Sequence, residues 1–156
     1  HPYFSNMSEV YFRLGDNYYN SSQYGKAQDA YYQTTISDGG KLLLNSHYML
    51  AWSMYKQGIY HKSINHFAFV LNDLLAAELN GRSLNRIEKG LVKDTLHSMS
   101  LALVNLGGAK AIEDISLLEN KAFIWRLYSN LAQFFINKRV KIYNLHFVLF
   151  QCLTSA

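Results

Sequence analysis

The sequence predicts an all-α protein, and three observations carry that prediction. Apolar residues recur at helical spacing, and no strand pattern competes with them. Pro2 is the only proline, so the rest of the chain favours uninterrupted helices. A set of small, apolar and aromatic residues also returns at a fixed spacing along the chain, which is the signature of a helical repeat.

Length and composition indicate one globular domain over residues 1–156, with a core large enough to need neither disulfides nor a metal. The chain is 49% apolar and 17% charged, and its aromatic share of 15% is high. Cys152 is the only cysteine and cannot form an internal disulfide. No apolar run reaches the roughly 18 residues of a membrane span, so a soluble piece is expected. The start HPYFSN, without methionine, suggests a piece of a longer protein, and a cytoplasmic, periplasmic or cell-envelope location stays open.

The first repeat unit is predicted over about residues 8–36. A glycine stands in the middle of its first helix, where glycine costs roughly 0.5 to 1 kcal/mol relative to alanine, so the position needs a structural reason. The pattern is an aromatic residue, a Leu-Gly pair, a tyrosine, a small residue and a second aromatic. These positions are Tyr11, Leu14, Gly15, Tyr18, Ala27 and Tyr31.

The same spacing returns in a second unit over about residues 44–79. Gly15 corresponds to Ala51, 36 residues further on. Several residue types agree at fixed offsets in the two units, which favours a repeat over chance spacing. The matching positions are His47, Leu50, Ala51, Met54, Ser63 and Phe67.

Two weaker units follow, over about residues 93–118 and 121–153. Ser100 lies 49 residues after Ala51, which exceeds a unit of about 34 residues. The excess is assigned to an insertion over about 72–92, predicted as a lengthened helix, a break at Asn80 and Gly81, and further helix. The register decays after the start of the fourth unit, so the run 137–156 is either a degenerate repeat or an unnatural end.

The small residues are predicted at the points where the two helices of a pair come closest. A side chain larger than alanine would push the helices apart there, which gives the glycine its reason. An apolar residue precedes each of these positions on the first helices, as Leu14 and Leu50 do in the first two units. The predicted crossing residues are Gly15, Ala51, Ser100 and Ala132 on first helices and Ala27 and Ser63 on second helices.

These residues resemble the tetratricopeptide repeat. The resemblance implies antiparallel helix pairs stacked as a right-handed superhelical solenoid of about four units, with the helical insertion between units 2 and 3. The missing proline at unit ends departs from the pattern. The stretches "HYMLAWSMYKQGIYHKSINHFAFVLNDLL" and "LVKDTLHSMSLALVNLGGAKAI" more narrowly resemble long proteobacterial repeat proteins of the cell envelope. The family implies protein binding and assembly without catalysis.

The resemblance also implies a concave groove lined by the first helix of each pair. Within a unit the lining positions are spaced by four and then three residues, which places them on one helical face. Five of the first six are aromatic, the type of side chain that dominates binding energy. A peptide or partner helix is therefore the expected ligand. The positions are Phe12, Asp16, Tyr19, Tyr48, Trp52, Tyr55, His97 and Leu101.

Two details refine the groove. For Trp52, packing between units is as good an explanation as binding. Phe12 and Asp16 stand where repeats that clamp a terminal carboxylate carry lysine and asparagine, so an acidic C-terminal tail is not the expected ligand.

No residue pattern predicts catalysis, a cofactor or a metal. The stretches GGK at 39–41 and GGAK at 107–110 lack the remaining residues of a phosphate-binding loop. His61 and His66 are five residues apart, whereas two ligands on one helical face need a spacing of three or four. His47 has no partner in the sequence and is expected to be structural or at the surface.

Two alternative functions remain. The net charge of +4 and a short basic patch at Arg82, Arg86, Lys89 and Lys93 raise nucleic-acid binding, which is disfavoured because the patch forms no continuous stripe. The second alternative is a structural or self-assembling segment of a larger envelope complex.

Overall fold

The computed structural model describes residues 2–37, 40–115, 118, 121 and 123–137, with side chains from residue 7 onward. Within this part of the chain all regular structure is helical and there is no strand, which confirms the all-α prediction for it. The helices are α1 (Pro2–Asn20), α2 (Tyr24–Ile36), a 3-10 turn (Gly40–Leu42), α3 (Leu43–Lys56), α4 (Tyr60–Leu79), α5 (Arg86–Asn105), α6 (Lys110–Asp114) and α7 (Ile124–Asn137).

The chain forms two compact units, His1–Val70 and Leu71–Ala156, and the boundary falls within α4. In the first unit α1 packs against α2, and α2 packs against α3. The buried centre of this unit comprises Ala27, Tyr31, Leu50 and Met54. The start of α4 lies against α3, because the Ser63 hydroxyl donates a 2.8 Å hydrogen bond to the Ala51 carbonyl. Helices adjacent in sequence are therefore neighbours in space here.

The ends of α1 and α3 have the same backbone geometry. Ser22 and Gly58, 36 residues apart, adopt positive φ values of 59° and 77°. The N–H group of the next residue then donates to a carbonyl five residues earlier, which closes the helix end in a Schellman motif. These bonds are Gln23 to Tyr18 at 2.8 Å and Ile59 to Met54 at 2.9 Å.

In the second unit α5 packs against α7. α5 begins with a capping box, in which the Asn85 side chain accepts from the Glu88 N–H and the Glu88 carboxylate accepts from the Asn85 N–H. Within the stretch predicted as an insertion, α4 continues to Leu79, Gly81 takes a φ of +84°, and α5 starts at Arg86.

The third predicted repeat unit differs from the first two. Its second helix, α6, is a single short helix of five residues, and Ile115 after it is extended. The second helix of the fourth unit, the run 138–156 and Cys152 lie outside the described residues. Among the helices that the structure does describe, none is long and apolar enough to span a membrane.

Candidate functional site

The predicted groove residues of the first two units lie along α1 and α3. We call the five aromatic ones the aromatic face: Phe12, Tyr19, Tyr48, Trp52 and Tyr55. Each of the five side chains is half-buried. Each has one ring neighbour or more within its own helix pair, so the face is built as a set of ring contacts.

One ring contact occurs in both helix pairs at corresponding positions. Phe12 on α1 meets Tyr31 on α2 edge-to-face, with centroids 5.5 Å apart and planes at 63°. Tyr48 on α3 meets Phe67 on α4 in the same way, at 5.8 Å and 61°. Both members of the second pair lie 36 residues after those of the first. The repeat is therefore present in side-chain geometry as well as in sequence.

A second contact repeats at the other end of each helix pair. Tyr19 and Tyr24 are 5.3 Å apart with planes at 68°, and Tyr55 and Tyr60 are 5.4 Å apart at 63°. Again the offset is 36 residues. Edge-to-face pairs of this kind contribute about 0.5–1.5 kcal/mol beyond their buried area, so the rings on the aromatic face are held in place by their own unit.

One electrostatic interaction links the α1 and α3 members of the aromatic face. Burial raises the pKa of the Tyr19 phenol, and the phenols of Tyr24 and Tyr48 raise it further. Charges on these groups could act on one another only if Tyr19 and Tyr48 are close in space. Tyr19 on α1 and Tyr48 on α3 therefore lie near enough to influence each other's ionisation.

Asp16 and Trp52 occupy corresponding positions but have different environments. The Asp16 carboxylate accepts a 2.7 Å hydrogen bond from the Tyr31 hydroxyl. Trp52 instead contacts Tyr55 at 5.2 Å and Phe67 at 6.1 Å, both edge-to-face. Asp16 thus anchors the buried ring of Tyr31, and the Trp52 indole fills the equivalent space in the second pair.

The environment of the Tyr31 hydroxyl shifts its pKa upward. Burial raises the pKa of the Tyr31 hydroxyl, and the hydrogen bond and charge of Asp16 raise it further. Tyr31 therefore stays a neutral donor at physiological pH. The Asp16 carboxylate is engaged within its own unit, which makes it a positioning residue.

The predicted crossing residues of the compact unit His1–Val70 have little space around them. A Cβ atom added to Gly15 would lie 2.6 Å from two ring carbons of Tyr31 on α2. Ala27, Ala51 and Ser63 are fully buried. In the compact unit Leu71–Ala156, Ser100 and Ala132 are also buried. The Ser100 hydroxyl donates to the Leu96 carbonyl of its own helix at 2.9 Å.

Leu14 and Leu50 differ although they occupy corresponding positions. Leu50 is fully buried, whereas Leu14 is 39% exposed. α2 packs against α3, and Leu50 shares a buried cluster with Ala27 and Tyr31 of α2. Leu14 instead lines an open depression of about 270 Å³ together with Tyr11, Tyr18, Lys26, Asp29, Ala30 and Gln33.

His97 and Leu101 belong to a separate surface in the second unit. They lie on α5 and line a depression of about 310 Å³ whose other wall is α7. The remaining lining residues are Asn130, Gln133, Phe134 and Asn137. First helices of successive predicted units thus line this depression too.

Sequence reasoning missed the contact between His47 and His66. Their Nδ1 atoms lie 2.9 Å apart, one on α3 and one on α4, and the His47 ring stacks on Phe69 at 3.9 Å. Burial lowers the pKa of both imidazoles, to about 4 for His47, where the nearby His66 lowers it further. The available signal was that the neighbouring residues, Tyr48 and Phe67, were already predicted to share one helix pair.

The basic patch is partly compensated. The Arg82 guanidinium forms a 2.8 Å ion pair with the Glu88 carboxylate. The Asn85 N–H and then Arg82 hold the pKa of Glu88 below its usual value. Arg82 is therefore engaged with a neighbouring carboxylate, which weakens the case for a phosphate-binding stripe.

No family model, curated protein or solved structure matches the chain. The resemblance to the tetratricopeptide repeat accordingly remains a prediction from the residues.

Proposed function

We propose that the chain is a tetratricopeptide-like segment that acts as a non-catalytic protein-interaction scaffold and binds an extended peptide or a partner helix on the aromatic face. The observation that carries the proposal is the duplicated set of ring contacts, Phe12–Tyr31 with Tyr48–Phe67 and Tyr19–Tyr24 with Tyr55–Tyr60. A unit that repeats its side-chain contacts as well as its turns supports stacked helix pairs as the architecture.

The chemistry of the aromatic face favours a peptide. Rings that are half-buried and held by ring neighbours lose little further entropy when a ligand covers them. Four of the five carry a hydroxyl or an indole N–H group, which adds polar contacts to a large apolar area. Such a surface suits a segment that inserts a few apolar anchors.

The test is a pair of truncations measured against a selected ligand. Peptides are enriched from a display library on the immobilised chain, and their affinities are then measured for Tyr48→Ala and Trp52→Ala. A hot-spot truncation costs about 2 kcal/mol or more, so each variant is expected to bind roughly thirtyfold more weakly. Tyr32→Ala is the matched control, because Tyr32 lies on α2 and is 51% exposed.

Thermal melting separates binding from packing. Trp52 and Tyr48 both contact Phe67, so affinities are compared at a temperature where every variant is folded. If both variants remain folded and bind the selected peptides as tightly as the unchanged chain, the aromatic face is not the binding surface.

One further observation favours the self-assembling alternative as the second candidate. Met7, Val10 and Leu14 lie at helical spacing on α1 and are 43%, 56% and 39% exposed. An exposed apolar helix stripe is a common association surface. Light scattering of the chain across a concentration series, repeated with Leu14→Glu, tests this role, since self-association on that stripe is expected to be lost in the variant.

A further inference from the structure

A depression in the compact unit Leu71–Ala156 brings three basic side chains together. Its volume is about 270 Å³, and it lies between α5 and α7. Lys89 and Lys93 line it from α5, and Arg126 lines it from α7. Among its described lining residues, Glu78 is the only acid. The remaining lining residues are Leu84, Val92, Leu96 and Asn130.

Lys89 and Lys93 repel each other in this position. They are four residues apart on one helix, so their side chains are neighbours, and like charges at that spacing are unfavourable. Neither lysine forms an ion pair with any residue that the structure describes. Arg82 of the same basic patch differs, because it is paired with Glu88. The two lysine charges are therefore left for a ligand to neutralise.

The Arg126 guanidinium is positioned by two neighbours. It lies over the Trp125 ring, 5.3 Å from the ring centroid, and its Nη2 donates to the Glu78 carboxylate at 3.4 Å. That hydrogen bond is long, and it engages one nitrogen of a group that has five N–H donors. Arg126 can therefore donate to a second acceptor while these two contacts hold its position.

The charge in the depression matches that of a phosphate monoester. Arg126 is paired with Glu78, which leaves the two lysine charges without a partner among the described residues. A phosphate monoester carries about −1.5 to −2 charges at pH 7, whereas a nucleic-acid phosphodiester carries one negative charge. Phosphodiester chains also bind along an extended track of cations, and this depression is a single site. The monoester is therefore the better match.

Apolar side chains lie beside the charged groups. Leu84, Val92 and Leu96 are buried and line the same depression. At about 270 Å³ it is slightly smaller than the pockets of about 300–1,000 Å³ that hold whole small molecules, so it suits a single side chain. An aromatic ring attached to the phosphate would bury its apolar area on these three residues.

We propose that this depression binds an aryl phosphate, the group that a phosphorylated tyrosine presents. The phosphate oxygens accept from the ammonium groups of Lys89 and Lys93 and from the Arg126 guanidinium, and the ring packs on the three apolar residues. Hydrogen bonds between charged groups of this kind are stronger than neutral ones, and a guanidinium matches the geometry of phosphate. The aromatic face is a separate surface, because its residues all lie in the compact unit His1–Val70.

The experiment is a titration of the whole chain with phenyl phosphate near neutral pH, followed by nuclear magnetic resonance. We expect the side-chain signals of Arg126, Val92 and Leu96 to shift together with one dissociation constant. Inorganic phosphate lacks the ring and dimethyl phosphate carries one negative charge, so each is expected to bind at least about tenfold more weakly. Equal affinity for all three anions would overturn the proposal.

A phosphotyrosine peptide distinguishes the two sources of an aryl phosphate. If it binds as tightly as phenyl phosphate, the site accepts a modified protein. If it binds about tenfold more weakly, the site accepts a free aryl phosphate.

Variants of the basic residues test which groups hold the phosphate. Arg126→Gln and the double Lys89→Gln, Lys93→Gln variant are each expected to bind phenyl phosphate at least about tenfold more weakly. The double Lys56→Gln, Lys62→Gln variant is the matched control, because both lysines are exposed and lie on α3 and α4. Removing Lys89 and Lys93 removes a pair of like charges, so that variant is not expected to melt below the unchanged chain. Unchanged affinity in it would overturn the proposal.

Discussion

Replacing Gly15 by alanine is expected to destabilise the first unit, although alanine is the better helix former. The added Cβ atom would lie 2.6 Å from Cδ1 and Cε1 of Tyr31 and 2.9 Å from Cζ. Carbon atoms pack best at about 3.5–4.0 Å, so the ring would have to retreat by about 1 Å.

The ring of Tyr31 has little freedom to retreat. Its side chain is fully buried, its hydroxyl donates a 2.7 Å hydrogen bond to Asp16, and its ring makes an edge-to-face contact with Phe12 at 5.5 Å. Overpacking of this kind costs about 1–3 kcal/mol. The better helix propensity of alanine returns up to about 1 kcal/mol, which leaves a net loss of about 1 kcal/mol. Gly15→Leu adds more atoms at the same point and is expected to lose at least about 1–3 kcal/mol.

Gly90 provides a matched control for this change. It lies within α5, and a Cβ atom there would meet no atom within 4 Å. Gly90→Ala is therefore expected to gain about 0.5–1 kcal/mol from helix propensity alone. The difference between the two alanine variants isolates the packing cost, at about 2–4 °C in melting temperature per kcal/mol.

Thermal melting followed by circular dichroism measures both variants, and a double-mutant cycle with Tyr31→Leu locates the clash. The smaller side chain at residue 31 is expected to make Gly15→Ala less costly than in the unchanged background. If Gly15→Ala melts as high as Gly90→Ala, Tyr31 does not pack on Gly15 and the repeat register is wrong.

Three further changes test other parts of the structure. Ser22→Gly is expected to raise the free energy of unfolding by about 0.5–1 kcal/mol, because positive φ is unfavourable for a residue other than glycine. Gly58→Ser is expected to lower it by a similar amount. Melting temperatures equal to that of the unchanged chain would contradict this prediction. The pKa of His47 falls from 6.5 to about 4 on folding, so the unfolded chain binds more protons between these values and stability drops as the pH falls through that window. The ring is only half-buried, so we expect the free energy of unfolding to fall by about 1–2 kcal/mol. Urea unfolding near neutral and acid pH measures this loss, which is expected to be smaller in a His47→Asn, His66→Asn variant. An equal loss in that variant would refute the prediction. Limited trypsin digestion is expected to cut first near Arg82, in the exposed connection between α4 and α5, and a first cut within α1 or α2 would refute this.

The helix pairs could be predicted because their closest contacts constrain residue size. Gly15 and Ala51 recur at the one depth where a larger side chain has no room, and Tyr31 and Phe67 recur where a ring fills the space beside them. Because helix contacts restrict the size of these residues, their spacing can be recognised in a single sequence. The break at Gly81 could also be predicted from the sequence, because glycine is favoured at positions with positive φ.

Contacts that depend on the rotation of one helix against another could not be predicted. The 2.9 Å approach of His47 to His66 and the hydrogen bond from Tyr31 to Asp16 each depend on how two helices are rotated about their axes relative to each other. The spacing of residues along one helix does not give that rotation. The exposure of Leu14 has a different cause. The repeat pattern assigns Leu14 the role of Leu50. Burial, however, depends on which helix covers the residue, and Leu50 is covered by α2 of the preceding helix pair.

The most direct test of peptide binding on the aromatic face is a titration of the isotope-labelled chain with a display-selected peptide, followed by nuclear magnetic resonance. We expect the indole N–H signal of Trp52 and the ring signals of Tyr19, Tyr48 and Tyr55 to shift together with one dissociation constant. Signals of Trp125, which is 51% exposed on α7, are expected to stay in place. Saturable binding that moves other signals and leaves these four residues unchanged would contradict the proposed function.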